Sequence, residues 1–208
     1  SPADIVQRYN TPEPGNIVQN NVPVFETGSG NVTIRRGNLT IDSFDYRDDL
    51  HFSLLRSRRG VSLERLDPSA PTQNPGNWHS AASTAGFATP GYQNSQFFAG
   101  SGRIDQVIGL ANKTFSPDGD GFEDVLIIEY NADQPGLTAN IRIFDANGRL
   151  VKRLVDNEML AARGNFKWDG ANDEGAKARI GIYVVWIELF TPGGRVERKR
   201  ATCVLAGK

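Results

Sequence analysis

Apolar residues in this chain recur at every second position over short runs, and no extended window carries them at helical spacing. The pattern therefore predicts strands joined by turns. In the first half, Val32, Ile34, Leu39 and Ile41 alternate with polar residues on either side of Arg35-Arg36-Gly37-Asn38, which predicts a hairpin with its polar residues on the wet face. A second extended stretch, residues 60–66, stops at Asp67-Pro68, where proline offers a ladder no donor. Residues 68–96 hold little periodicity and predict a wrapped irregular segment with Trp78 as its apolar plug. Residues 1–30, with short islands at Ile17-Val18 and Val22-Pro23-Val24-Phe25, define no partner for pairing.

The second half gives sharper signals. Strands are predicted over residues 125–130 and 139–145, with a tight Ala146-Asn147-Gly148 turn leading into 149–155. Another, over 165–168, ends at Asp169-Gly170, and 181–190 turns through Thr191-Pro192-Gly193-Gly194 into 195–205. Ile182, Val184 and Trp186 fall on one face of the first member of that last hairpin, and Tyr183, Val185, Ile187 and Leu189 on the other, so it reads as a central or covered strand. Its partner carries charge on both faces and reads as an edge strand. A shift of composition around 97–108 places a domain boundary near residue 103, with Ala99-Gly100-Ser101-Gly102 as the hinge. The expectation is an all-β chain of two immunoglobulin-like β-sandwich modules in tandem, residues 1–103 and 104–208, the first short of its opening strands.

Composition narrows the function classes. The 208 residues carry 23 basic and 24 acidic side chains, a formal charge of -1, so no global field recruits nucleic acid or an anionic membrane. The apolar run of residues 182–187 falls far short of the roughly 20 residues that cross a bilayer. Cys203 is the sole cysteine, which excludes an intrachain disulfide and a thiolate cluster. His51 and His79 stand in no metal-ligand spacing, no Gly-x-Ser-x-Gly elbow occurs, and neither Gly28-Ser29-Gly30 nor Gly100-Ser101-Gly102 leads into a helix with a phosphate-binding lysine. The residues supply no enzyme, and Cys203 reads as a buried small hydrophobe.

One constellation could hold an ion. Asp118, Asp120, Glu123 and Asp124 crowd a glycine-rich loop, and Ca²⁺ accepts about six to eight oxygens in loose geometry. Asp169 and Asp173 could complete such a site from a neighbouring loop. Phe122 at the fifth position from Asp118 departs from an EF-hand, and the same carboxylates could instead cap the amides of paired Asp-Gly turns. Both readings stay open on the sequence.

Two stretches carry family resemblances. Gly60-Val61-Ser62-Leu63-Glu64-Arg65, Asn77-Trp78-His79-Ser80-Ala81-Ala82 and Ala88-Thr89-Pro90-Gly91-Tyr92-Gln93-Asn94-Ser95 resemble the C-terminal half of a bacterial lamin-tail-like domain across residues 28–96. The opening strands of that family are absent upstream of Gly28, which suggests that the chain starts inside a larger protein. Phe115-Ser116-Pro117-Asp118-Gly119-Asp120-Gly121-Phe122-Glu123-Asp124, Ile141-Arg142-Ile143-Phe144-Asp145-Ala146-Asn147-Gly148-Arg149, Trp168-Asp169-Gly170 and Gly181-Ile182-Tyr183 resemble a FlgD-type immunoglobulin-like domain. They are also similar to the C-terminal sorting domains of proteins exported by the type 9 secretion system.

That resemblance implies a non-catalytic export and attachment module of a secreted protein, displayed on the outer face of the outer membrane. Its partners would be outer-membrane secretion machinery with a shuttle barrel, and a surface adhesin. Recognition would use strand addition along Arg195, Val196, Arg198, Arg200, Thr202 and Val204. The alternative is a Ca²⁺-dependent adhesion or carbohydrate-binding module using the loop carboxylates and the aromatics Tyr92, Phe97 and Phe98.

Overall fold

The computed structural model describes residues 1–98 and 108–207. The expected hinge at Ala99-Gly100-Ser101-Gly102 and the boundary at residue 103 lie outside the described residues. The chain divides into two units, Ser1–Ser101 and Gly102–Lys208, and each is considered by itself.

Unit 1 opens with a helix that the strand pattern did not predict. Ser1 caps α1 (Pro2–Arg8), its hydroxyl accepting the Asp4 amide while the Asp4 side chain reaches back, and Pro2 presets the first turn. The hairpin follows as β1 (Ser29–Arg36) and β2 (Leu39–Arg47), antiparallel, with a register shift between Ile34 and Arg35. Its apolar positions behave differently from the expectation. Ile34, Leu39 and Ile41 are exposed at 58%, 67% and 59%, so the wet face of the hairpin is not purely polar.

Of the stretch 60–66, β3 keeps only Leu63–Arg65, paired antiparallel with β4 (Trp78–Ser80). Among the described residues, unit 1 thus holds two two-stranded sheets rather than a closed sandwich. Two contacts join them. The Phe44 ring of β2 stacks on Trp78 of β4 at 3.7 Å between centroids, and Arg65 of β3 donates to Asp42 of β2 at 3.2 Å. Trp78 is half-buried, a lid on the hairpin rather than a core plug, with its indole N–H tied to the Thr72 carbonyl.

Unit 2 is all-β. Its strands are β5 (Ile108–Leu110), β6 (Thr114–Phe115), β7 (Leu126–Asn131), β8 (Thr138–Asp145), β9 (Leu150–Met159), β10 (Arg163–Trp168), β11 (Gly181–Phe190) and β12 (Val196–Leu205). They form two sheets, ordered β10-β7-β5 and β6-β12-β11-β8-β9, antiparallel throughout except where β6 runs parallel to β12. The turns at Asn147-Gly148 and Thr191-Pro192-Gly193-Gly194 set the hairpins where the sequence puts them. Strand β11 is central, as its pattern predicts, but one face is covered and the other is not. Tyr183, Val185, Ile187 and Leu189 are buried, whereas Ile182 on the opposite face is exposed.

Trp168 is the core plug of this unit. Its ring is fully buried, lies 5.2 Å from Phe115 and 5.0 Å from Tyr183, and donates its indole N–H to the Ala171 carbonyl at 2.8 Å. Loss of so large a buried ring leaves a cavity that its neighbours cannot fill. Trp168→Ala should therefore lower the unfolding free energy of unit 2 by about 3–5 kcal/mol, read by denaturant titration. A loss below about 1 kcal/mol would show that the ring is not what holds this core.

Candidate functional site

Each sequence motif of unit 2 first supplies architecture. Gly119 and Gly121 adopt left-handed φ values of +83° and +87°, which a side chain would resist. The turn they form wraps around Asp124, whose carboxylate accepts the Gly119 amide at 2.6 Å and the Gly121 amide at 2.8 Å. Asp118 accepts the Asp120 amide at 3.2 Å, and Asp120 accepts that of Phe122 at 2.8 Å. These are Asx turns in series.

Three of the four expected acidic residues converge. One carboxylate oxygen each of Asp118, Asp120 and Asp124 lies within 4.8 Å of the others, while Glu123 stands outside the group. Glu123 has a left-handed φ of +51° and contributes its carbonyl to the Ser116 amide. Asp169 and Asp173 do not join either. Asp169 caps the Ala171 amide, and Asp173 binds the Arg153 guanidinium at 2.9 Å. The three oxygens suit a hard cation chemically, yet each carboxylate already serves a backbone amide.

The remaining motifs converge on the same end of the sandwich. Gly170 has φ +77°, and a Cβ there would meet Leu205 at 2.9 Å and Pro117 at 3.1 Å, so this glycine permits close packing of three segments. Asp145 closes the Asn147-Gly148 turn, accepting the Asn147 and Arg149 amides and the Arg149 guanidinium. The Arg149 amide first, then its guanidinium, hold the Asp145 carboxyl below the usual range.

Reactive side chains are spread apart. His51 Nδ1 meets Ser80 Oγ at 2.9 Å, a serine–histidine contact that spacing could not reveal. Ser80 is fully buried and its oxygen also accepts the Phe52 amide, so the pair ties a loop to β4 without access for a substrate. His79 donates from Nδ1 to the Ser80 carbonyl at 3.0 Å. Burial pushes both histidines below their ordinary value. Tyr92, Phe97 and Phe98, taken in the alternative reading as exposed aromatics, are half-buried. Cys203 is buried, and burial pushes its thiol up to about 11.

The edge at β12 is open along part of its length. Arg195 precedes the strand, and Val196, Arg198, Arg200 and Thr202 present exposed side chains on its outer face. Val204 does not belong to the free edge. Its amide donates to the Lys113 carbonyl at 2.8 Å, because β6 runs alongside Val204 and Leu205.

Asp124→Ala should cost about 0.5–1.5 kcal/mol by replacing its hydrogen bonds to the exposed Gly119 and Gly121 amides with water, equally with Ca²⁺ and with chelator. A loss confined to Ca²⁺-containing buffer would instead make the loop a cation site. Cys203 should resist alkylation in the folded protein at pH 8 and react on unfolding. Because its folded value is raised from 9.0, the stability it contributes is intact below pH 9 and is lost as pH climbs towards about 11. Rapid labelling of the native thiol at pH 8 would contradict its burial.

The FlgD Ig-like domain model matches residues 114–191. No curated protein matches the chain. Among solved structures, dimeric latent PorU from Porphyromonas gingivalis is 19% identical with a TM-score of 0.39, over 49% of this chain and 9% of that one. PorZ of the same organism, described as an essential bacterial surface component of the type-IX secretion system, is 20% identical with a TM-score of 0.32, over 48% of this chain and 11% of that one. FLGD from P. aeruginosa is 18% identical with a TM-score of 0.34, over 47% of this chain and 72% of that one. The chain thus spans about a tenth of PorU and PorZ. Residues 114–191 of unit 2 are thus similar to the FlgD Ig-like domain, and unit 2 is all-β.

Proposed function

We propose that unit 2 is a non-catalytic recognition module of a secreted bacterial surface protein, read in its folded form by the type 9 secretion machinery and its outer-membrane shuttle barrel. The observation that carries this reading is the use made of the motif residues. Phe115, Asp124, Asp145, Trp168 and Gly170 each hold a turn or the core, and among the described residues none is joined to a nucleophile and base in an open cleft. A domain whose distinguishing residues all maintain shape offers shape and backbone edges for recognition.

In this reading the protein reaches the outer face of the outer membrane with unit 2 as its address, and a surface adhesin is its further partner. The Ca²⁺-dependent adhesion reading keeps the three clustered carboxylates as its support but loses the exposed aromatic platform it required.

Deleting residues 106–208 from the protein expressed in a type 9-competent bacterium should leave it in the cell envelope, detected by fractionation and surface proteolysis. Release of the truncated protein at the normal level would overturn the assignment.

A further inference from the structure

Strand β12 is paired completely on one side, where each of its residues from Val196 to Leu205 faces one of β11. On the other side, Val204 and Leu205 meet Thr114 and Phe115 of β6. The Val204 amide points to that side, towards Lys113. Backbone polar groups alternate in direction along a strand, so Val196, Arg198, Arg200 and Thr202 turn their N–H and C=O groups the same way. Among the described residues no strand meets them.

The chain itself creates this gap. Residues 108–110 pair with β7 in the opposite sheet, and among the described residues the chain first reaches the flank of β12 at Lys113. Between β5 and the uncovered edge lies a groove of about 820 Å³. It is lined by Ile108, Leu110, Ile187 and Ala201 together with Lys113, Arg200 and Lys199, the last paired with Glu197.

We infer that this edge accepts an extended strand from a partner protein, alternating apolar and acidic side chains, laid beside residues 196–202 in line with β6. The inference rests on unit 2 being a recognition module and names what it recognises. A strand added here directs alternate side chains inward over Ile108, Leu110 and Ile187 of the groove and outward beside Arg198 and Arg200. Arg198 already shares Glu188 at 3.0 Å, while Arg200 and Lys113 enter no ion pair among the described residues, leaving positive charge in the groove lining. Acidic residues at alternate positions complement it. A second copy of this chain does not, because antiparallel pairing of two β12 edges sets arginines against arginines.

The test uses the full chain and short synthetic peptides of alternating Val and Glu or of alternating Val and Lys. The Glu peptide should bind, weaken with added salt, and slow amide exchange at Val196, Arg198, Arg200 and Thr202. Arg200→Glu should weaken it roughly tenfold. Arg200→Pro removes an outward N–H that β11 does not use, so it should abolish binding while thermal unfolding stays cooperative. Should the proline variant fail to fold, the charge reversal alone decides. Equal binding of the Lys peptide, unchanged exchange at the four amides, or salt-resistant dimers of the chain through this edge would each overturn the inference. Peptide capture is read in vitro, so it can fail while deletion of residues 106–208 still blocks release, and the reverse.

Discussion

A backbone amide or carbonyl taken out of water must find a partner, and the two units meet this demand by different means. Unit 2 does so with sheet ladders. Unit 1 has little sheet and relies on buried polar side chains. Glu64 of β3 is 3% exposed and receives the Thr89 hydroxyl, the Ser95 hydroxyl at 2.6 Å and the Gln96 amide at 3.1 Å. Ser95 meanwhile accepts the Ala82 amide at 2.8 Å. Asn77 serves the Asp67 amide and carbonyl in the same manner. One glutamate and a few small polar residues therefore do for an irregular segment what a neighbouring strand would do, and the segment's course depends on them.

The same accounting separates structure from recognition in unit 2. Carboxylates that a chemical reading would count as ligands or bases are mostly occupied by amides of their own loops, as at Asp124 and Asp145. Among the described residues, β12 carries unpaired backbone groups where the ladder with β6 stops after two residues, as the outer strands β5, β9 and β10 do along their free edges. In the proposed reading, binding rests on backbone groups and edge charge of β12 rather than on a cleft of convergent side chains.

What the sequence could reveal follows from the range of each interaction. The hairpins of unit 2 were legible because Asn147-Gly148 and Thr191-Pro192-Gly193-Gly194 act locally and the alternation of 181–190 is a property of one strand. The all-β class follows from the same signals. The capping box at Ser1 and Asp4 was readable in principle, but the helix is a mere two turns and carries no apolar stripe. Glu64 was not legible as a central acceptor, because its donors lie more than twenty residues away and only the fold brings them together. Strand β6 was missed for a related reason: two residues have no period, and its pairing with β12 spans most of unit 2. Three of the four acidic loop residues came together as their spacing suggested, and Glu123 was turned aside by its left-handed backbone.

The acidic loop and the open edge are linked through β6. Asp124 fixes the glycines after Pro117, Pro117 rests against Gly170, and Phe115 is fully buried beside Trp168. These anchors hold Thr114 and Phe115 at the end of β12. Sliding β6 along β12 by one residue would turn Phe115 out of the core, and sliding it by two would pull Pro117 off Gly170. The chain therefore cannot cover residues 196–202 with its own β6 without dismantling the loop. The carboxylate turns that look like a cation site and the uncovered strand that looks like a fault of pairing are consequences of one packing decision at Phe115.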